Sequence, residues 1–138
     1  MKDIFCRIID GEIPCVKVYE DDDVLAILDI SQTTKGHTLV IPKAHCSDFL
    51  SAPKEILNKV FAVAQRIGQA QISMLGAKGV NILSNVGAEA GQSVPHFHVH
   101  VIPRYGKDNG FQITMKEQDV SSIDLPRLAC AIQEGIKE

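Results

Sequence analysis

Hydrophobic and polar positions follow two different periods along the chain. Stretches of about five residues that alternate, or that are continuously apolar, are typical of β-strands. They predict five strands, at residues 16–20, 24–28, 37–41, 79–85 and 97–102. The acidic run Asp21-Asp22-Asp23 between the first two strands predicts a hairpin turn, and Pro42 ends the third strand.

A helical period marks two stretches between these strands. Asp3 is placed to cap a short first helix, whose apolar stripe consists of Ile4, Phe5, Ile8 and Ile9. A long helix is predicted from a Ser51 cap, with Pro53 in its first turn, to about Leu75. Gly76 then ends this helix.

A last helix is predicted near the C-terminus, with Ser121 or Ser122 as its cap. One of its sides presents Leu125, Leu128, Ala129, Ile132 and Ile136. Together the elements predict an α+β fold, in which a long central helix and a C-terminal helix accompany a mainly antiparallel five-stranded sheet.

Composition narrows the class of protein. The 138 residues suit a single domain, and hydrophobic and charged fractions of 45% and 22% argue against disorder. A net charge of −3 argues against long nucleic acid as a partner, because its binders carry a basic face. No apolar run reaches the roughly 20 residues of a membrane span, and the charges in residues 1–7 argue against an export signal. We therefore expect a cytoplasmic protein with no membrane partner.

The cysteines are scattered and include no C-x-x-C pair. In a cytoplasmic chain they are expected to be reduced thiols. The main alternative is that Cys6 belongs to a metal site. The full set is Cys6, Cys15, Cys46 and Cys130.

Three of the five histidines fall in one pentapeptide, at His96, His98 and His100. Side chains alternate between the two faces of a strand, so these imidazoles share one face at intervals of about 6.5 Å. Phe97 and Val99 point to the other face and supply core. Such a row is suited either to metal ligation or to a nucleophile with flanking hydrogen-bond donors. The alternative is that these histidines are core or surface residues with no function of their own.

Polar residues close to this row favour binding of a phosphate. Gly91 allows backbone N–H groups to approach an anion closely, and Gln92 and Ser93 follow it. Asn85 offers an amide donor, and Asp29 ends an apolar strand, where a carboxylate can bind ribose hydroxyls. Taken alone, Asp29, Ser93 and Asn85 are equally acceptable as turn and loop formers.

The run His96-Phe97-His98-Val99-His100-Val101-Ile102 matches the pattern His-φ-His-φ-His-φ-φ and resembles the histidine-triad superfamily. Further segments resemble its bacterial Hint-like branch: Ile4-Phe5-Cys6-Arg7-Ile8-Ile9, Gly11-Glu12-Ile13-Pro14, Val18-Tyr19-Glu20-Asp21, Leu28-Asp29-Ile30-Ser31, Gly36-His37-Thr38-Leu39-Val40-Ile41-Pro42-Lys43 and Gly91-Gln92-Ser93. The resemblance implies one domain over residues 1–138, with a core at 4–105 and a C-terminal extension at 106–138. It also implies a homodimer whose two sheets join into one.

The resemblance assigns catalytic roles around the middle histidine. His98 would attack the α-phosphorus, with its Nδ1–H held by the carbonyl of His96. His100 would hydrogen-bond the phosphate, with His37 nearby, although His37 alone is equally compatible with a bond to backbone. Ser93 would help to hold the phosphate and the leaving group.

The resemblance also assigns the nucleotide contacts. Gln92 and Asn85 would reach the phosphate side, and Asp29 would bind the ribose hydroxyls. The base slot would be lined by Phe5, Ile8, Ile27 and Ile30, which are otherwise ordinary core residues.

The implied activity is hydrolysis of adenosine or guanosine monophosphate derivatives, of the phosphoramidate type, through a covalent nucleotidyl-histidine. One alternative is a dinucleoside polyphosphate hydrolase, and another is a nucleotide-binding regulatory module. No cofactor is expected to be required for this chemistry, and the sequence has no paired carboxylates to hold a catalytic magnesium ion. The sequence does not name the leaving group.

A structural zinc site is a separate question. Many bacterial relatives begin with C-x-x-C, and those thiolates bind zinc with histidines that match His45 and His96. Here Asp3 stands at the first cysteine position and Cys6 at the second. Because zinc accepts carboxylate ligands, a site formed by these four residues is compatible with the sequence, although it has lost a soft thiolate.

Overall fold

The computed structural model of the chain describes residues 2–137. Its strands are β1 Lys17–Glu20, β2 Val24–Leu28, β3 Thr38–Pro42, β4 Gly79–Leu83 and β5 Val99–Arg104. They form one sheet in the order β1-β2-β3-β5-β4, and every neighbouring pair is antiparallel. The predicted five-stranded antiparallel sheet is confirmed.

The helices are α1 Ile4–Ile9, α2 Lys54–Leu75 and α3 Leu125–Ile136, and short 3-10 turns lie at Ala88–Ala90 and Val120–Ser122. The Asp3 side chain caps α1 by accepting the Cys6 N–H at 2.8 Å, as predicted. Gly76 ends α2 in the left-handed conformation, with φ 75°.

The predicted caps of the other two helices are wrong. Ser51 does not cap α2, because its hydroxyl and N–H bond to Asp48 and Pro53 takes the cap position without a side-chain bond. The cap of α3 is Asp124, which accepts the Arg127 N–H at 3.1 Å. Ser121 and Ser122 lie instead in the 3-10 turn that precedes α3.

The sheet separates two apolar layers. The layer between the sheet and α2 is formed by residues of both: Val24, Ala26, Val40, Val60, Val63, Ala64, Ile67, Phe97, Val99 and Val101. The layer beneath α1 contains Phe5, Leu25, Ile27, Leu39 and Ile41. Successive residues of β2, β3 and β5 therefore alternate between the layers, and the residues between the histidines point towards α2, as the sequence predicts.

The end of β4 and the start of β5 differ from the predicted ones, because bonds outside the sheet replace the pairing of these two strands there. The N–H of Phe97 donates to the carbonyl of Cys46 at 2.7 Å, which lies outside the strands. The hydroxyl of Ser84 donates to the carbonyl of His98 at 2.7 Å. These bonds lie outside the ladder of the sheet, so β5 begins at Val99 and β4 ends at Leu83.

The C-terminal helix is present, but every residue from Leu125 to Ile136 is exposed. Within residues 2–137, no residue of its apolar side is therefore buried. The path towards it is fixed at Arg104, which donates to Asn81 at 2.6 Å, to Asp108 at 2.9 Å and to the carbonyl of Phe111 at 3.2 Å. Within the described chain, no helix has the length and apolar character needed to cross a membrane.

Candidate active site

The histidine row lies on the α1 side of the sheet. His100 is in β5 and pairs with Leu39 of β3, and the ring centroids of His98 and His100 are 5.1 Å apart. His96 is fully buried, His98 is buried, and His100 is partly exposed. The row therefore runs from the interior towards the surface.

The His98 ring is fixed in one tautomer. Its Nδ1 lies 2.7 Å from the carbonyl oxygen of His96. A carbonyl oxygen only accepts, so Nδ1 carries the hydrogen and Nε2 of the neutral ring carries the lone pair. The Phe5 ring packs edge-on at 4.8 Å between centroids, and burial lowers the pKa of His98 below its ordinary value. At neutral pH the ring is therefore uncharged, with the Nε2 lone pair unprotonated.

A hydrogen-bonded chain lies behind His100. Nε2 of His37 is 3.0 Å from Nδ1 of His100, and Nδ1 of His37 is 3.1 Å from Oγ1 of Thr33. Burial lowers the pKa of His37. Burial, assisted by the neighbouring His98 and His37, lowers the pKa of His100 to about 4. Both rings are therefore neutral at pH 7.

Asp29 follows the end of β2 and lies next to this series of hydrogen-bonded side chains. Its N–H donates to the carbonyl of His37 at 3.0 Å, which continues the β2–β3 pairing by one residue. Its Oδ1 accepts the N–H of Ser31 at 2.8 Å, and its Oδ2 lies 3.6 Å from Nε2 of His37. We call Asp29, His37, His98 and His100 the cavity cluster.

A cavity of about 830 Å³ opens beside this cluster. Asp29, Ser93, His98 and His100 supply polar atoms to its wall, and α1 and β2 supply an apolar wall. All four residues predicted for the base slot line it, namely Phe5, Ile8, Ile27 and Ile30. Ile30 is 99% exposed and forms part of the rim.

The loop that contains Gly91 and Ser93 is held in shape by hydrogen bonds of the Gln92 side chain. The Gln92 side chain accepts the Gly87 N–H at 2.9 Å and donates to the carbonyls of Ser47 and Val94 at 2.8 and 3.0 Å. The Gln92 amide is therefore committed to the loop, while Ser93 faces the cavity. Asn85 lies beside Gly91, where an added Cβ would be 3.5 Å from the Asn85 Nδ2, and it does not line the cavity.

Two supporting residues were not predicted. Thr33 contacts His37, and Gln32 donates to the carbonyls of Asp29 and His37 at 2.6 and 2.8 Å. Both belong to a polar loop whose composition indicates only a turn. Their roles depend on how the loop folds back on the strand ends, and no local pattern encodes that.

A second group of polar residues lies at the other end of the row, and we call it the N-terminal cluster. It consists of Asp3, Cys6, His45 and His96, whose ligand atoms all lie within 4.8 Å of one another. Oδ2 of Asp3 is 3.1 Å from Nε2 of His45 and 3.2 Å from Nδ1 of His96. Sγ of Cys6 is 3.6 Å from the same Nδ1.

The N-terminal cluster is consistent with a cation at its centre. Nε2 of His96 lies 2.9 Å from the carbonyl of Pro42 and must donate to it. In the neutral ring Nδ1 then carries a lone pair that faces the Asp3 carboxylate, so either a proton on Nδ1 or a metal cation between the two acceptors makes this contact favourable. Burial raises the pKa of Asp3, but the Cys6 amide and His96 outweigh it and the pKa is lowered. Two nitrogens, one oxygen and one sulfur form a donor set that zinc accepts.

Comparisons with known proteins agree with this architecture. A sequence model of the HIT domain matches residues 10–107. The chain is 47% identical to Protein hit of Bacillus subtilis over 135 residues, which cover 96% of this chain and 93% of that protein. It is 35% identical to adenosine 5'-monophosphoramidase hnt1 of Schizosaccharomyces pombe, over 99% of this chain and 100% of that protein.

Solved structures give the same result. A HIT family protein from Bacillus anthracis is 48% identical, with a TM-score of 0.89, and the match covers 96% of this chain and 95% of that chain. A zinc-bound histidine triad family protein from Mycobacterium smegmatis is 40% identical, with a TM-score of 0.75 and 96% of each chain covered.

Proposed function

We propose that this chain, which belongs to the HIT domain family, hydrolyses purine nucleoside monophosphate derivatives of the phosphoramidate type at the α-phosphorus. The observation that carries the proposal is the 2.7 Å bond from Nδ1 of His98 to the His96 carbonyl, beside a cavity that His98 lines. A relative that matches over its full length is named an adenosine 5'-monophosphoramidase, which supports this substrate class.

His98 is the proposed nucleophile. Its Nε2 lone pair forms a bond to the α-phosphorus, and the bond from phosphorus to the leaving group breaks. The leaving amine or oxygen departs with the electron pair of that bond and takes up a proton. The product of this step is a nucleotidyl group attached to Nε2 of His98.

Water completes the cycle. Its oxygen attacks the same phosphorus and gives up a proton to solvent, the bond to Nε2 breaks and returns its electron pair to that nitrogen, and the nucleoside monophosphate leaves with His98 neutral again. Charge grows on the non-bridging oxygens in both steps. We assign its stabilisation to His100, backed by His37, and to Ser93 with the backbone amides of its loop, because donors fixed in advance need no reorganisation. Asn85 acts from beside Gly91 and supports this loop.

The nucleoside portion occupies the remainder of the cavity. Asp29 Oδ2 accepts hydrogen bonds from the ribose hydroxyls, while Ser31 holds the other oxygen. The base lies against the apolar wall of Phe5, Ile8 and Ile27, with Ile30 at the rim. Gln92 contributes by holding the loop that carries Ser93.

We assign a structural metal to the N-terminal cluster and none to the chemistry. Asp3, Cys6, His45 and His96 would hold the ion, which would cross-link α1 to the loop before β5 and supply no catalytic group. A zinc-bound structure among the similar proteins supports this assignment.

A homodimer is proposed as the working form. β4 is at the edge of the sheet and exposes Ile82, and the neighbouring α2 exposes Phe61 and Ile72. An apolar edge strand with free backbone groups is suited to pairing with a second copy, which would join two sheets into one. Mass measurement by light scattering should give a dimer, and Ile82→Arg should give a monomer.

Trapping the covalent intermediate tests the proposal directly. The protein is mixed with adenosine 5'-phosphoramidate, quenched within the first turnovers and examined by mass spectrometry for one added nucleotidyl group on the peptide that contains His98. A modified His98, absent from His98→Ala, is the expected result. Turnover of a diadenosine polyphosphate without turnover of the phosphoramidate would overturn the assigned substrate class.

A further inference from the structure

Gln71 is a polar side chain on the buried side of α2, with 4% of its surface exposed. Its Nε2 donates to the carbonyl of Gly36 at 3.1 Å and to the carbonyl of Val101 at 3.1 Å. The amide nitrogen carries two hydrogens, so both bonds form at once. Both partners only accept, and this fixes the orientation of the amide, with Oε1 turned away from them.

The two carbonyls are next to the two histidines that bond to each other. Gly36 precedes His37 and Val101 follows His100, and Nε2 of His37 lies 3.0 Å from Nδ1 of His100. Val101 packs in the layer beside α2, so the ring of His100 is on the opposite face of its strand. Gln71 therefore bridges the two backbone segments from the side of the sheet away from the cavity.

The bridge lies where the sheet stops pairing these segments. The pairing of β3 with β5 ends at Thr38 and Val101. Gly36 has a positive φ of 102°, and a Cβ added there would lie 2.7 Å from Cδ1 of Leu75 in α2. The chain therefore turns at Gly36 in close contact with α2, which brings its carbonyl within reach of the Gln71 amide.

We propose that Gln71 is a positioning residue, which keeps His37 and His100 at hydrogen-bond distance by joining the backbone beside each of them. This role rests on the proposed function, in which His100 donates to the phosphate. A neutral ring has one hydrogen, so His100 offers it through Nε2 only while Nδ1 accepts from His37. If the two segments separate, that bond lengthens and the ring is free to take the other tautomer.

The amide oxygen shows that packing alone does not explain Gln71. Oε1 is buried and has no hydrogen-bond partner among the described residues, which destabilises the folded state. A methionine of similar size would avoid this. Satisfaction of the Gly36 carbonyl does not explain the amide either, because that oxygen also accepts the Thr38 hydroxyl at 2.8 Å. The joining of two segments is the property that an apolar side chain lacks.

The test compares Gln71→Met with Val63→Ala. Gln71→Met keeps the length of the side chain and removes both donors, whereas Val63→Ala removes apolar atoms from the same buried side of α2. In protein labelled with nitrogen-15, the ring nitrogens of His100 should show one tautomer at pH 7, with the hydrogen on Nε2. In Gln71→Met the two nitrogen chemical shifts should move towards each other as the tautomers mix, whereas in Val63→Ala they should stay unchanged.

Turnover gives the second readout. Gln71→Met should lower kcat for adenosine 5'-phosphoramidate by about tenfold or more, because small misplacements of reacting groups have effects of this size. Its dissociation constant for adenosine monophosphate should change far less, since Asp29 and the apolar wall remain. Val63→Ala should keep its kcat. Gln71→Glu keeps the shape and offers at most one hydrogen, so it should give the same change in the ring signals if Gln71→Met does not fold.

Unchanged His100 ring signals in folded Gln71→Met, or equal changes in Val63→Ala, overturn the positioning role. Changed signals with an unchanged kcat overturn its part in the reaction. The ring signals do not depend on turnover. If they change as expected while the unmodified protein fails to hydrolyse the phosphoramidate, Gln71 positions the rings and the proposed function is wrong.

Discussion

The N-terminal cluster and the cavity cluster use the same kinds of side chain on the same face of the sheet, yet their geometry differs. In the N-terminal cluster four ligand atoms face inwards on one point, and none of the four residues lines the cavity. In the cavity cluster the rings are tied to a carbonyl, to a hydroxyl and to each other, and three of the four members line the cavity.

The difference shows that residue type alone does not separate the site to which we assign a structural metal from the site to which we assign catalysis. His96 and His98 are two residues apart and both bond a carbonyl, but through different nitrogens. His96 bonds through Nε2 and turns Nδ1 towards Asp3, whereas His98 bonds through Nδ1 and keeps Nε2 for the cavity. The choice of nitrogen and the access to the ring decide the chemistry.

Removal of the proposed nucleophile, His98, should give the largest difference in turnover between variants of the two clusters. His98→Ala should lower turnover of adenosine 5'-phosphoramidate by about 10⁴-fold or more, because a nucleophile has no substitute in the site. Adenosine monophosphate binding, measured by calorimetry, should persist. His45→Ala removes an imidazole from the N-terminal cluster and should lower turnover far less. Equal losses in the two variants would contradict the division of roles.

The cavity carboxylate should affect binding more than chemistry. Asp29→Asn should weaken adenosine monophosphate by about 10–100-fold, because hydrogen bonds to a charged acceptor contribute about 1.5–3 kcal/mol. The 2',3'-dideoxy analogue lacks the hydroxyls and should lose little. Asp22→Asn is the control for the change of charge. An equal loss for both nucleotides would remove the ribose role from Asp29.

Acid should inactivate the cavity cluster only well below neutral pH. Burial lowers the pKa of His98 from the ordinary 6.5, so the neutral nucleophile persists below pH 6.5. Turnover should be full above that pKa and should fall about tenfold per pH unit below it. A profile of kcat from pH 4 to pH 8 measures this, and an acid limb centred above pH 6.5 would contradict a buried, neutral attacker.

Zinc should act on the N-terminal cluster through stability. At a free concentration about 100 times its dissociation constant, a ligand that binds only the folded state adds about 2.7 kcal/mol. For a chain of this length that raises the thermal midpoint by roughly 5–10 °C. Calorimetry with and without zinc should show this shift, and Cys6→Ser should reduce it sharply. The same shift in Cys6→Ser would place the stabilising metal elsewhere.

Local patterns predicted the parts of the fold that local rules control. The continuous apolar run at residues 24–28 identified β2, the helical period identified α2, and Gly76 marked the end of that helix. The predicted cap of α2 was wrong because Ser51 bonds to Asp48 and leaves the cap position to Pro53. The predicted cap of α3 was wrong because several Ser and Asp residues compete near its start, and the path of the chain selects Asp124. The apolar side of α3 was visible in the sequence, but the part of the chain that the structure describes leaves this side exposed.

The sequence by itself determined which histidines share a face, because alternation is a property of an extended backbone. For His96 and His100, only the tertiary structure decided which nitrogen is free, whereas Nδ1 of His98 bonds to a carbonyl two residues away. The partners of the other two rings are distant along the chain: Pro42 is 54 residues from His96, and His37 is 63 residues from His100. A hydrogen bond between two such residues forms only when the strands and loops that carry them are packed together.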